Sequence, residues 1–146
     1  MKKTLDLFLV VIICLAIFSC KKYEDGPALS LRTKKARIAN NWKVDKYLLN
    51  GVDKTADYRL LVIKESFYFF KSEKFQYDET SNWSWAVPYY TGTWELEDKK
   101  ETLSVTSDNK SVKYREFKIL KLKEKEMWLQ LQVSPDSLVE YHYIPQ

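Results

Sequence analysis

Chemistry in this chain of 146 residues would have to run through few groups: one histidine, His142, two cysteines, Cys14 and Cys20, and 20 acidic residues set among 24 basic ones. A Ser-His-Asp or Cys-His arrangement needs His142 as its base. Its alternation with Tyr141 and Tyr143 predicts an outward position beside Glu140, away from the buried face. One imidazole does not complete a zinc shell. Glu95 and Glu97 read as outward strand positions rather than a glycosidase pair. Asp98 and Asp108-Asn109 carry oxygens that calcium accepts, but turn chemistry accounts for both. With three glycines in the whole chain, no phosphate-cradling loop is expected. The chain is therefore read as non-enzymatic, without metal or cofactor.

Aromatic surface is the plentiful resource, at 15% of residues. The densest stretch runs from Ser81 to Tyr90. At a barrel mouth, Trp83, Trp85 and Tyr89 would present flat faces to an apolar ligand or stack against a glycan. The alternative buries them in core and inter-strand packing. Tyr141 and Tyr143, in phase on the last strand, are the other candidate ligand-facing residues.

The first 19 residues are of a different kind. Lys2 and Lys3 precede a twelve-residue apolar run, Leu7 to Phe18. That is short of the roughly 20 residues a helix needs to cross a bilayer and within the roughly 7 to 15 of a secretory signal's apolar region. Ile17-Phe18-Ser19-Cys20 resembles a bacterial lipobox, which implies removal of residues 1–19 and acylation of Cys20; bulky Ile13 disqualifies Cys14. The expected mature chain has 127 residues, a net charge of +3 and no second cysteine, so no disulfide can form and the core must hold the domain unaided. Several acyl chains would keep the protein membrane-bound, at about 0.8 kcal/mol per buried methylene. Residues 20–29 form a tether ending at Gly26-Pro27. Its Glu24-Asp25 pair resembles the acidic residues behind the lipidated cysteine of surface-exported lipoproteins; a solvated spacer on a periplasm-facing protein reads equally well.

The remaining residues, 30–146, must supply the fold. Ser30 to Asn40 reads as a short amphipathic helix capped by Ser30, with Leu31, Ile38 and Ala39 on one face and Arg32, Lys34, Lys35 and Arg37 on the other. That basic face either meets an anionic membrane surface or is solvated. Nothing resembles a nucleic-acid module. From Trp42 the period is two. Trp42 and Val44 share one phase and Tyr47 and Leu49 the opposite one, a slip that predicts a bulge before the Asn50-Gly51 turn. Extended runs follow at Leu60-Leu61-Val62-Ile63, Phe67 to Phe70, and Phe75 to Tyr77, and Trp94 to Val105 forms a hairpin. Phe117 to Leu122, Met127 to Val133 and Val139 to Tyr143 complete the series. About eight strands with short connections predict an all-β fold, a small antiparallel up-and-down β-barrel that removes its own edges, with a β-sandwich as the alternative.

The lipobox, the basic tether, the short helix, Asn41-Trp42-Lys43-Val44, Asn50-Gly51, Gly92-Thr93-Trp94-Glu95-Leu96 and Ile119-Leu120-Lys121-Leu122, in that order, resemble the lipocalin-like lipoproteins of Gram-negative envelopes. The resemblance implies an outer-membrane, lipid-anchored barrel with Trp42 packed at its closed end under the helix. Two functions stand. One is a carrier or sensor of a small apolar ligand, which expects an internal cavity of several hundred Å³ with few polar groups. The other is a surface protein-protein or glycan-contact module with a filled barrel. For the anchor, Cys20→Ala should move the protein from the detergent phase to the aqueous phase and abolish labelling with radioactive palmitate; retained label rejects Cys20 as the acylated residue.

Overall fold

Alternating side chains put one face of each strand inward, and here the inward faces wrap around a common axis. The computed structural model describes residues 31–82, 89–108 and 114–146; the stretches read as signal and tether, with Cys20, and also Trp83 and Trp85 lie outside the described residues. Helix α1 (Lys34–Ile38) leads into β1 (Asn41–Leu49), the two-residue β2 (Val52–Asp53), helix α2 (Thr55–Leu61), β3 (Val62–Phe69), β4 (Lys74–Ser81) and β5 (Tyr89–Glu97). A short 3-10 turn (Asp98–Lys100) precedes β6 (Thr102–Ser107), followed by β7 (Tyr114–Leu122), β8 (Met127–Ser134) and β9 (Ser137–Pro145). Each pairing is antiparallel, and β1 pairs with β9 from Trp42-Pro145 to Leu49-Val139, so the sheet closes. The result is an eight-stranded up-and-down barrel, the architecture of lipocalin-like folds, with β2 as one extra strand. Closure of the single sheet sets aside the β-sandwich.

The phase slip read from the sequence in β1 is a bulge in the ladder, and β7 holds a second. One lies between Val44 and Lys46 of β1, and another between Ile119 and Lys121 of β7. Each re-aims the strand so that apolar residues on both sides of the slip face inward. Asn50 and Gly51, with φ of 50° and 78°, make the tight turn from β1 to β2. Gly92 has a different reason: a Cβ there would lie 2.0 Å from the Thr106 carbonyl oxygen, so β5 passes β6 at a distance only glycine permits.

The core is packed at the end of the barrel that α1 covers. Trp42, Leu103, Leu122, Met127 and Leu129 are fully buried there, with Trp94 close behind. Trp42 Nε1 donates to the Ile38 carbonyl at 2.8 Å, and Trp94 Nε1 donates to the Phe70 carbonyl at 3.1 Å, so both large rings are buried with their one polar atom satisfied. Phe69 meets Trp94 edge-on at 5.8 Å, and Phe67 and Phe69 lie 4.2 Å apart.

Two local expectations are corrected. The first helix is shorter than Ser30 to Asn40: Thr33, not Ser30, is its cap, with Oγ1 accepting from the Ala36 N–H, and Leu31 is fully exposed. Arg37 is buried rather than part of a solvated basic face, and its Nη1 donates to the Leu122 carbonyl at 2.9 Å, tying α1 to β7. The second correction concerns Leu60-Leu61-Val62-Ile63, which is not one extended run. Leu60 and Leu61 end helix α2, and β3 begins at Val62. Local chemistry favours this, because Ala56, Arg59, Leu60 and Leu61 are good helix formers and Asp53 takes both the Thr55 amide and hydroxyl at the helix entrance. Those two bonds also lower the Asp53 pKa.

Replacing Trp42 by alanine deletes the largest side chain sealing the covered end and orphans the Ile38 carbonyl. A loss of about 3 to 5 kcal/mol is expected in denaturant unfolding; a loss under about 1 kcal/mol would show that the ring does not hold that end together.

Candidate functional site

The inward positions of β3 and β4 run Glu65, Phe67, Phe69 and Phe75, Tyr77, Glu79. The apolar members lie toward the covered end, and the two glutamates lie toward the other. Glu65 and Glu79 are direct partners in the β3-β4 register. At this same end β6 finishes with Ser107 and β7 starts near Arg115, so polar residues from β3, β4, β6 and β7 gather at one end of the barrel.

Between that polar end and the packed core lies a cavity of about 310 Å³. Its deeper wall is Phe67, Phe75, Val105 and Phe117. Tyrosines 77, 90, 141 and 143 form the sides, and Tyr58 of α2 closes in from the seam between β1 and β3. The seam exists because β1 and β3 pair only at Asn41-Tyr68 and Trp42-Phe67 before diverging. Tyr58 fills the gap, stacking on Tyr47 with ring centroids 4.7 Å apart and 17° between planes, and meeting Tyr141 edge-on at 6.4 Å. Arg59 holds the helix down by donating to the Asp45 carbonyl at 2.9 Å, on the bulge of β1.

The carboxylates are wired through tyrosine. Tyr58 Oη donates to Glu65 Oε2 at 2.7 Å; Tyr77 Oη lies 2.6 Å from Glu79 Oε2 and 3.2 Å from Glu65 Oε2. A phenol has one proton, so Tyr77 donates across the shorter contact, to Glu79. A proton on Glu65 would then complete the chain by pointing at the Tyr77 oxygen. Burial drives the same outcome, raising the Glu65 pKa above its ordinary value, with the Glu79 charge adding to the rise and the tyrosine hydrogen bonds opposing it. Glu65 Oε1 has no solvent contact and no hydrogen bond of ordinary geometry; the Val44 amide lies near enough only to favour the ionised form. Burial raises Tyr58, Tyr77 and Tyr143 well above the usual phenol range and Tyr141 to about 12, so all four remain hydrogen-bond donors at neutral pH.

Of the residues singled out from the sequence, Tyr141 and Tyr143 line the cavity, stacked on one another at 5.8 Å. Tyr89 does not: it is exposed at the start of β5, and its neighbour Tyr90 turns inward instead, stacking with Tyr77 at 6.1 Å. Trp83 and Trp85 lie outside the described residues. His142 is on the outer face, as its alternation predicts. There it stacks flat on Trp128 at 3.9 Å and bonds Glu140 at 2.5 Å. Asp98 and Asp108 accept from the hydroxyls of Thr102 and Thr91, ordinary turn contacts. The expectation of few polar groups in the cavity is corrected by Glu65, Glu79, Ser107 and Arg115. Sequence reasoning overlooked both glutamates, although Glu65 with Phe67 and Glu79 with Tyr77 carry the signal, a charge in phase with a buried stripe.

The raised pKa of Glu65 has a stability consequence with a definite sign. Its protonated form is favoured by folding, so its contribution is complete below the unfolded value near 4.5 and is lost as pH climbs through the folded value. The groups facing it are Tyr58, Tyr77, Glu79, Tyr143 and the Val44 amide. Glu65→Gln keeps an acceptor for Tyr58 and cannot ionise. Measured by urea unfolding, its stability relative to wild type should rise from about pH 4.5 upward, by no more than about 1.4 kcal/mol per pH unit, the limit for one proton. A difference independent of pH would show that Glu65 is not desolvated. Compared with known proteins, the chain matches no protein-family model, and no curated protein is significantly similar to it.

Proposed function

We propose that this chain is a lipid-anchored envelope protein, fixed to the outer membrane through Cys20, whose lipocalin-like barrel takes one small amphipathic molecule into its interior. The observation that carries the reading is the cavity of about 310 Å³ with a wall of phenylalanine at one end and hydrogen-bonding groups at the other. Eight strands leave room for side chains alone or for one small ligand, and natural binding pockets begin near this size, combining apolar lining with a few placed polar groups. The polar end changes the expected ligand from purely apolar to one with an apolar body and a polar head. Binding rather than catalysis is the reading: the histidine points away from the cavity, and the tyrosine hydroxyls around it are held protonated by burial.

One observation favours the second reading, a contact module. Val52, Leu60, Leu61 and Ile63, on β2, α2 and the start of β3, are exposed apolar residues close together in the chain. The interior cavity counts against the filled barrel this reading expects.

Native mass spectrometry of the full-length protein, extracted in mild detergent from the cells that make it, tests the carrier reading. One small molecule per chain, released on denaturation, is the expected result. A bare protein whose melting temperature is also unmoved by a small-molecule extract of those cells would overturn it.

A further inference from the structure

We propose that the polar end of the cavity recognises a small organic ammonium ion, with Glu65 and Glu79 holding the charged head and the tyrosine rings around it. The proposal rests on the barrel taking a ligand at all, and it names the ligand's chemistry.

Donors and acceptors at the two glutamates do not balance. Two carboxylates offer four oxygens. Among the described residues, the side-chain hydrogen bonds they take come from Tyr58 and Tyr77 alone. Glu65 Oε1 is buried without a hydrogen bond, and the single Tyr77 proton goes to Glu79, so Glu65 keeps only the Tyr58 donor. The site therefore has surplus acceptors, and the molecule that completes it must bring donors. An alkylammonium brings three and no acceptor.

Charge and shape point the same way. Like charges at directly opposed positions of an antiparallel pair are destabilising, and buried charges are ordinarily paired, yet Glu65 faces Glu79 inside the barrel. Burial and the Glu79 charge relieve that repulsion by favouring a proton on Glu65, and a cation seated between the two would let both carboxylates ionise. Tyr58 and Tyr77 touch the carboxylates and Tyr90 and Tyr143 line the same cavity, and aromatic ring faces attract a desolvated cation. The phenylalanine wall beyond suits an apolar body rather than a bare ion, and two carboxylates fall well short of the roughly six to eight oxygens calcium takes. Arg115 reaches the lining from β7 and is itself exposed; its charge acts on Tyr141 and Tyr143, whereas Glu79 is the charge that acts on Glu65.

The test uses three probes of matched shape, phenethylamine, phenethyl alcohol and phenylacetate, titrated calorimetrically into the full-length protein in detergent. Phenethylamine should bind one to one, at least tenfold more tightly than either of the others. Glu79→Gln and Glu65→Gln should each reduce the preference for amine over alcohol at least fivefold. The wild-type ratio stands without any variant, so a misfolded mutant does not remove the test. Equal binding of amine and alcohol, or preference for phenylacetate, overturns the ammonium assignment and leaves the cavity a binding site. A copurified ligand without a cationic group does the same. If none of the probes binds and nothing copurifies, this proposal and the binding function fall together.

Discussion

The ladder between β1 and β9 is the contact on which everything else depends. Without it, the eight strands form an open twisted sheet with two exposed edges and an apolar face too wide for α1 to cover. With it, β1 is shared between β9 along most of its length and β3 at only two residues. The barrel is thus closed firmly on one side of β1 and loosely on the other. The loose side needs a plug, and α2 supplies it through Tyr58. The close end needs a cap, which α1 supplies through the Trp42 and Arg37 hydrogen bonds to and from its neighbours.

Closure also divides the interior. Side chains on eight strands meet at the axis, and near α1 they are large and interlocked, with Trp42 and Trp94 each satisfied by a backbone carbonyl. Toward the opposite end the inward positions carry Glu65, Glu79, Ser107 and Arg115. Charged groups cannot collapse together as phenylalanines do, because each resists desolvation and the two glutamates repel one another. Space is left where the packing changes character. The cavity is therefore a consequence of where polar residues fall in an otherwise apolar stripe, and its walls inherit both characters.

Much of this was legible in the chain itself. The two-residue period marked the strands, and the phase slip between Val44 and Tyr47 marked a bulge that the ladder contains. Asn50-Gly51 marked its turn. Tyr141 and Tyr143 were assigned inward correctly because a strand's alternation is local. Where reading failed, competition between local and distant forces explains it. Leu60-Leu61-Val62-Ile63 has the composition of a strand, yet its first half is helical because β1 and β3 separate and the connection must span the gap. Arg37 looked solvated because charge predicts exposure; its hydrogen bond to the Leu122 carbonyl at the barrel end holds it inside.

What the amino-acid order determined alone was the all-β class of the fold, most of its strands and which residues share a face, since each follows from the pleat over a few neighbouring residues. It also carries the lipobox-like segment, which is read in line and needs no fold. Only the tertiary structure decided that Glu65 opposes Glu79, that Tyr58 from a helix reaches the same site, and that a cavity separates them from the core. Those facts depend on register and on ring closure, which are set by pairings between residues far apart in the chain. No local period encodes them.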